Sequence, residues 1–288
     1  MSLRQLEVRQ DIYLNKLTSF RIGGKAKLFF VVHSVDDIKL VLSKVSSKFY
    51  FLGGGSNLLV SDEDLSTPVI TLGKEFDYIK KLDENIIEVG GATPLSKVLN
   101  YTIKEKFCGF ENFSGVPARI GGLLIMNASS FGRSISEILE EVFVIDRCGN
   151  RGVIKKKDIS FGYRTSSLKE ERSIIINAKF RLVKFDGIRE RVYFYLRKRF
   201  REQDFDFPSA GCVFKNPKDF SAAYLIEQCG LKGFTYGGAQ VSFKHANFIV
   251  NRANAKAKDV SGLIEIVKEK VYNKFGIVLE EEIERWEI

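Results

Sequence analysis

The chain has 288 residues, 44% of them hydrophobic, with 45 Lys and Arg against 36 Asp and Glu for a formal net charge of +9. That length predicts roughly two domains with sizeable cores, and a pI near 9.2 favours anionic partners, either nucleic acid or phosphorylated small molecules. The opening residues carry charge from Arg4 and lack an apolar signal segment, no apolar run reaches the ~18 residues of a membrane span, and four scattered cysteines (Cys108, Cys148, Cys212, Cys229), with only His33 and His245 as companions, argue against a metal site or a disulfide framework.

In chain order, KLFFVV at 27–32 reads as a strand. Ser34 followed by Asp37 signals a helix start, with Ile38, Val41, Leu42 and Val45 as its apolar stripe. FYFL at 49–52 completes a β-α-β opening. Strands at PVITL (68–72) and IIEVG (86–90) come next, then a helix from Pro94 with Leu95, Val98, Leu99 and Thr102 on one face. A glycine-bearing loop, GFENFSGVPARIGG (109–122), precedes a predicted hairpin, VFVIDRCGNRGVIK (142–155), with its turn at Gly149 and Asn150, and then a β-rich run at 173–185. Mixed strands with scattered helices make the fold class α+β.

A helix over 188–203 marks the crossover into a second unit, so the predicted domains are 1–186 and 187–288. Within that helix lies the densest basic run, LRKRFR at 196–201. Ile188, Val192, Tyr195 or Leu196, and Arg199 fall on helical spacing, and the run reads as the solvated face of an amphipathic helix. The second unit then holds a strand in AGCVFKNP (210–217), a helix in SAAYLIEQCGL closed by Gly230, the strand NFIVN (247–251), and a helix over 257–275 stopped by Gly276. A last strand, IVLEEEIERW (277–286), sets Ile277, Leu279 and Ile283 on one face and Glu282 opposite. RIGG occurs at 21–24 and again at 119–122, but the flanks differ and no duplication is supported.

Two stretches could cradle an anion. FLGGGSNLLV puts Gly53, Gly54 and Gly55 directly after a strand, where consecutive backbone N–H groups can close on a phosphate, and Ser56 and Asn57 add donors. A plain tight turn explains the glycines alone equally well. The dinucleotide fingerprint G-x-G-x-x-G is disfavoured, because Leu58 stands at its sixth position and the residues beyond it read as strand. GVPARIGGLLIMNAS, with Gly115, Pro117, Gly121, Gly122 and Asn127, is a second loop of this kind, and two together suggest a ligand the size of a dinucleotide diphosphate.

The set TSFRIGGKA, LGGGSNLLVSD, GVPARIGGLLIMNAS, FGYRTSSLK, PSAGCVFKNP, GGAQVSFKHANFIVN and LEEEIERW resembles, in order and spacing, the UDP-N-acetylenolpyruvoylglucosamine reductases, over nearly the whole chain. The length matches the shorter form of that family, which lacks an extra tyrosine-bearing loop. The resemblance implies an FAD-binding domain of the vanillyl-alcohol-oxidase type followed by a smaller α+β substrate domain. It also implies bound FAD, NADPH as co-substrate, and reduction of the enolpyruvyl group of a UDP-sugar to UDP-N-acetylmuramate for peptidoglycan synthesis. The cofactor contacts it implies are Gly53, Gly54, Gly55, Ser56, Asn57, Gly115, Pro117, Gly121, Gly122 and Asn127. A cytoplasmic, monomeric enzyme with no nucleic-acid or membrane partner is the expectation.

Reduction of an enolpyruvyl group builds negative charge on its carboxylate, so a fixed cation and a proton source are needed. By resemblance the cation is Arg164, with a planar guanidinium suited to a carboxylate, and Tyr163 lines the same pocket. Glu282 takes the role of the second acid; without the family it reads as a solvated carboxylate in EEEIE. Cys212 stands where the family usually carries a proton-donating serine. A thiol, with an ordinary pKa of ~8.5, can donate and be refilled at neutral pH; a nearby guanidinium could instead hold it as thiolate, or it could be small apolar filler. Lys215, Asn216, Gln240 and Lys244 are implied substrate contacts, while the lone His245 reads as a structural hydrogen-bonder. One departure stands out. The family often has arginine two places after the acid, whereas here Glu284 occupies that position and Arg285 follows, so either a bulge lets Arg285 compensate or the contact is missing. The rivals are another flavoprotein of the same cofactor fold, which would reduce oxygen and ignore the sugar, and a basic nucleic-acid binder, which would hold no flavin.

Overall fold

A computed structural model describes residues 6–45 and 48–287. It forms two compact units, each gathered from three stretches of chain: Met1–Gln10, Leu28–Gly54 and Thr67–Arg199 in the first, and Asp11–Lys27, Gly55–Ser66 and Phe200–Ile288 in the second. The sequence suggests instead one cut after 186. The excess of basic over acidic residues lies in the first unit, and the second is close to neutral.

In the first unit, parallel strands Lys25–Val32, Val69–Leu72 and Tyr50–Phe51 lie in that order, with Glu7–Tyr13 beyond Lys25–Val32. Helix α1 (Val35–Lys44) starts as its sequence predicts: the Ser34 side chain accepts from the Asp37 N–H, and the Asp37 carboxylate accepts from the Ser34 N–H. Its Ile38 and Val41 pack with Phe30, Val32, Ile70 and Leu72 in one core. A five-stranded antiparallel sheet runs in the order Arg151–Lys155, Leu139–Ile145, Ile174–Arg181, Ile86–Gly90, Ile79–Lys81. The expected hairpin is its outer pair, Ile145 facing Arg151 across a turn in which the Asp146 carboxylate accepts the N–H groups of Cys148 and Asn150. Helices α2 (Leu95–Glu105), α3 (Ile120–Ile125) and α4 (Ser167–Glu170), together with the start of α5 (Ile188–Glu202), close a second core around Phe107, Phe110, Phe113 and Phe180.

The second unit is built on the sheet Ser209–Cys212, Phe248–Asn251, Ala239–Val241, Thr235–Tyr236, packed against α6 (Ala222–Gln228) and α7 (Ala257–Phe275). Val260, Leu263, Ile264, Val267 and Val271 of α7 are all buried, and Gly276 ends the helix at φ 69° in the left-handed region. The last predicted strand is shorter than its alternation suggests. Only Glu284–Trp286 is a strand, parallel to Leu58–Val60, and before it there is a single bridge from Glu281 to Phe214. Leu279 and Ile283 are still buried in the core, so the pattern of faces holds where the ladder does not.

The basic run in α5 is corrected by the structure. Arg197 and Arg201 are exposed, but Arg199 is only 7% accessible. The spacing that aligns Ile188 and Val192 with position 199 puts this guanidinium on the buried stripe.

Candidate flavin and substrate sites

In the first unit the two glycine-bearing loops rest on each other. A side-chain carbon on Gly54 would sit 3.4 Å from the Arg119 nitrogen and 3.5 Å from the Pro117 oxygen. Beside that contact the surface is open: a carbon on Gly53, or on Gly122 near the start of α3, would meet nothing within 4 Å. Gly121 is hemmed in, with its N–H donating to the Gly91 oxygen at 3.0 Å. Gly115 has φ 82°, and an added carbon there would come within 3.0 Å of Arg199 and Leu196 side-chain atoms.

After α3 the chain turns through Asn127, at φ 40°. Its Nδ2 donates to the Gly162 oxygen at 2.9 Å, while its Oδ1 is buried without a hydrogen-bond partner. Gly162 belongs to a tight hairpin in which Phe161–Gly162 pairs with Thr165–Ser166, and its two turn residues are Tyr163 and Arg164. Arg164 has φ 58°, and its guanidinium donates to the Ser129 oxygen at 3.1 Å and lies 5.6 Å from the Tyr163 ring. The Ser166 hydroxyl donates to the Ile125 oxygen at 2.8 Å. Three links therefore fasten the Tyr163 and Arg164 turn to the segment that leaves α3. Sequence spacing, with Arg164 37 positions after Asn127, carries no sign of this pairing.

Gly55, Ser56 and Asn57 belong to the second unit. Gly55 adopts φ 65°, its oxygen accepts the Ser19 N–H at 2.9 Å, and a carbon on it would fall 2.1 Å from the Leu17 oxygen, so no other residue fits. Asn57 gives its Nδ2–H to the Glu282 backbone oxygen at 3.0 Å, and its backbone oxygen accepts the Glu284 N–H at 2.9 Å. The Glu282 N–H donates in turn to the Val213 oxygen at 2.7 Å. Val213 follows Cys212, whose strand pairs with Phe248 after a bulge, and Gly211 takes φ 79° just before it. Cys212 is partly exposed and belongs to no disulfide. Asn247 clamps Phe214, two residues after Cys212, exchanging two bonds of 2.8 and 2.9 Å with its backbone. Cys212, Glu282 and Asn57 are thus joined through adjacent backbone, a grouping that sequence reasoning does not assemble.

Lys244 is exposed, on a turn held by Ser242, whose buried hydroxyl accepts the N–H groups of residues 244 and 245 and donates to the Asp204 carboxylate at 2.7 Å. His245 is turned edge-on to Phe248 with its Nδ1 buried and unpartnered, and burial pushes its pKa down. The other three expected substrate contacts make bonds within the protein. Lys215 pairs with Glu280, the Asn216 side chain accepts the Ala222 N–H at 3.0 Å at the start of α6, and Gln240 donates to the Gly233 oxygen at 3.1 Å. No bulge frees Arg285. The register Glu284, Arg285, Trp286 against Leu58, Leu59, Val60 is unbroken, and Arg285 grips Glu281 with bonds of 2.8 and 2.9 Å. Burial acts against charge on Glu281, but Arg285 and Lys268 outweigh it and hold the carboxyl below its ordinary range.

Residues 203–286 match the C-terminal domain of UDP-N-acetylenolpyruvoylglucosamine reductase, and residues 26–151 match an FAD binding domain. The reductase of Thermosipho melanesiensis is 41% identical over 290 residues, covering 98% of both chains. This chain belongs to the UDP-N-acetylenolpyruvoylglucosamine reductase family. A Clostridium botulinum member is 38% identical over 95% of the chain and 90% of its own length, and the crystal structure of the Thermus caldophilus reductase superposes with a TM-score of 0.84 at 34% identity, covering 98% of this chain and 99% of that one. The first unit's residues suit a flavin dinucleotide. Gly53 and Gly122 leave room for a group that lies against backbone, and the Asn127 Oδ1 is a buried acceptor awaiting a donor. Among the described residues no cluster of His, Cys, Asp and Glu could hold a metal, and no helix is long and apolar enough to cross a membrane.

Proposed function

We propose that this protein reduces the enolpyruvyl group of UDP-N-acetylglucosamine enolpyruvate to give UDP-N-acetylmuramate, with FAD as bound cofactor and NADPH as reductant. What carries the reading, beside the full-length family match, is the bond from the Glu282 N–H to the Val213 oxygen: it ties the carboxylate-bearing segment to the residue after Cys212. FAD supplies the two-electron exchange when bound. The chain supplies charge and protons. Arg164 balances the substrate carboxylate as negative charge grows on it. Cys212 holds the proton delivered to C2 and recovers it from solvent, and Glu282 supports that transfer. The rigid hairpin and its bond to Ser129 keep the guanidinium from wandering, so little ordering is needed when the substrate arrives. The enzyme works as a monomer in the cytoplasm.

A purified sample tests this in one cuvette. It should be yellow, bleach anaerobically with NADPH, and regain colour on addition of the enolpyruvyl UDP-sugar. Colour that returns only with oxygen would favour an oxidase instead, and a colourless protein that takes up no FAD would remove the reading altogether.

A further inference from the structure

We propose that Arg199 is a positioning residue for the flavin, acting through the loop at 112–115; this rests on the FAD reading above. Its guanidinium is buried in the first unit, where Nε donates to the Ser114 oxygen at 2.7 Å and Nη2 to the Asn112 oxygen at 3.3 Å and to the Ser130 hydroxyl. The Ser130 hydroxyl donates in turn to the Asn112 backbone oxygen at 2.7 Å, and the Asn112 Nδ2 donates to the Phe131 oxygen at 3.0 Å. The Phe131 ring stacks on Tyr195 at 5.1 Å and lies 5.0 Å from the Arg199 guanidinium. One planar cation thus ties two carbonyl groups of the 112–114 segment to the Ser130 hydroxyl of a second segment, and its stem fills the space beside Gly115 that a side chain there would need.

A buried charge is costly unless its donors are met. Here they are met by the Asn112 and Ser114 backbone oxygens and the Ser130 hydroxyl, so loop and cation depend on each other. What they shape leads into function. Residues 117–119 come after this turn and underlie Gly54, and Gly122 with its open face comes next. Loosening 112–115 moves the floor of the cradle, while the unit's other core, around Phe30, Ile38 and Ile70, takes no residue from this loop. Lysine cannot substitute, because an ammonium lacks the fork that reaches two segments at once.

The test is FAD affinity, measured by flavin fluorescence during titration of the deflavinated protein well below its unfolding temperature. Arg199→Lys and Arg199→Met should each weaken FAD binding roughly 10- to 100-fold, the loss of one charge-assisted hydrogen bond. The far-ultraviolet circular dichroism should be unchanged, and saturating FAD should restore much of any loss in Tm. Ser130→Ala, a gentler cut of the same network, should weaken binding by less and serves if the arginine variants fail to fold. Gly122→Val is the control on the site itself. If it abolishes FAD binding while the Arg199 and Ser130 variants bind like the parent, the positioning role is wrong and the flavin site stands. If Gly122→Val also binds FAD like the parent, the flavin site and this inference fall together.

Discussion

Cys212 stands where the resemblance implies a proton-donating serine, and the role of the thiol can be tested. Cys212→Ser should remain active, whereas Cys212→Ala should lose about 10²- to 10⁴-fold in kcat for the UDP-sugar, the usual worth of a proton donor. Bleaching of the flavin by NADPH should be untouched in both, because that half-reaction needs no proton from this side chain. An alanine variant turning over at the parental rate would show the thiol to be filler. Neighbouring glycines separate two roles that look alike in sequence. Gly55→Ala should destabilise the protein by about 1–3 kcal/mol through its left-handed backbone, and by more through contact with the Leu17 oxygen, lowering Tm with or without FAD. A Cβ added at Gly53 meets no protein atom within 4 Å, so Gly53→Val should weaken FAD binding and leave the Tm of the flavin-free protein largely unchanged. Residue types and order were legible at these positions; which glycine serves the backbone and which the ligand depends on neighbours, such as Leu17, that are distant in sequence.

At the scale of elements, His33 fastens the first strand. Its Nε2 and Nδ1 lie 2.6 Å from the carboxylates of Glu7, on Glu7–Tyr13, and Glu75, after Val69–Leu72, and Arg9 also holds Glu7 at 2.8 Å. The bonds to Glu75 and Glu7 raise the His33 pKa, while those from His33 and Arg9 lower that of Glu7. A raised histidine value means the folded state holds the proton more tightly. Its contribution is therefore complete below the ordinary value of about 6.5 and fades as pH rises through the folded value. The depressed Glu7 contributes above about 4.3 and is lost as pH falls through its folded value. His33→Ala should flatten the decline in Tm between about pH 6 and pH 9, and it should speed amide exchange in residues 7–10 at the lower pH. An unchanged slope would show the clamp to be idle. The sequence shows His33 only as a lone histidine, since both partners are more than 25 positions away. Helices with caps and a 3.6-residue stripe, α1 and α7, were legible almost to the residue, because their signals are local. The C-terminal strand was overdrawn because alternation reports burial, and burial at Leu279 and Ile283 continues where ladder pairing does not.

The whole molecule has two units woven from six stretches of chain, which bears on how it folds. Composition and motif order suggest sequential domains, since nothing in a linear reading shows that 11–27 and 55–66 leave the first unit. In the structure the second unit's core includes Phe20, Ile22 and Leu59, each no more than 3% exposed. Leu58–Val60 is the partner strand of Glu284–Trp286, and the Ser19 hydroxyl donates to the Ser209 oxygen at 2.7 Å. The Asp62 carboxylate accepts the N–H groups of Ala257 and Lys258 at the start of α7, where an anion is favoured by the helix dipole. Cutting away everything before residue 200 would remove three large buried side chains at once, leave one strand without its partner and uncap the longest helix. Each large buried side chain is worth about 1.5–3 kcal/mol, against a total stability of about 5–15 kcal/mol for a domain. The fragment 200–288 should therefore fail to fold alone, giving narrow amide dispersion by NMR and no cooperative melt. Extending it with 11–27 and 55–66 through short linkers should restore a cooperative transition. A fragment 200–288 that melts cooperatively by itself would show that the borrowed segments decorate this unit and do not complete its core.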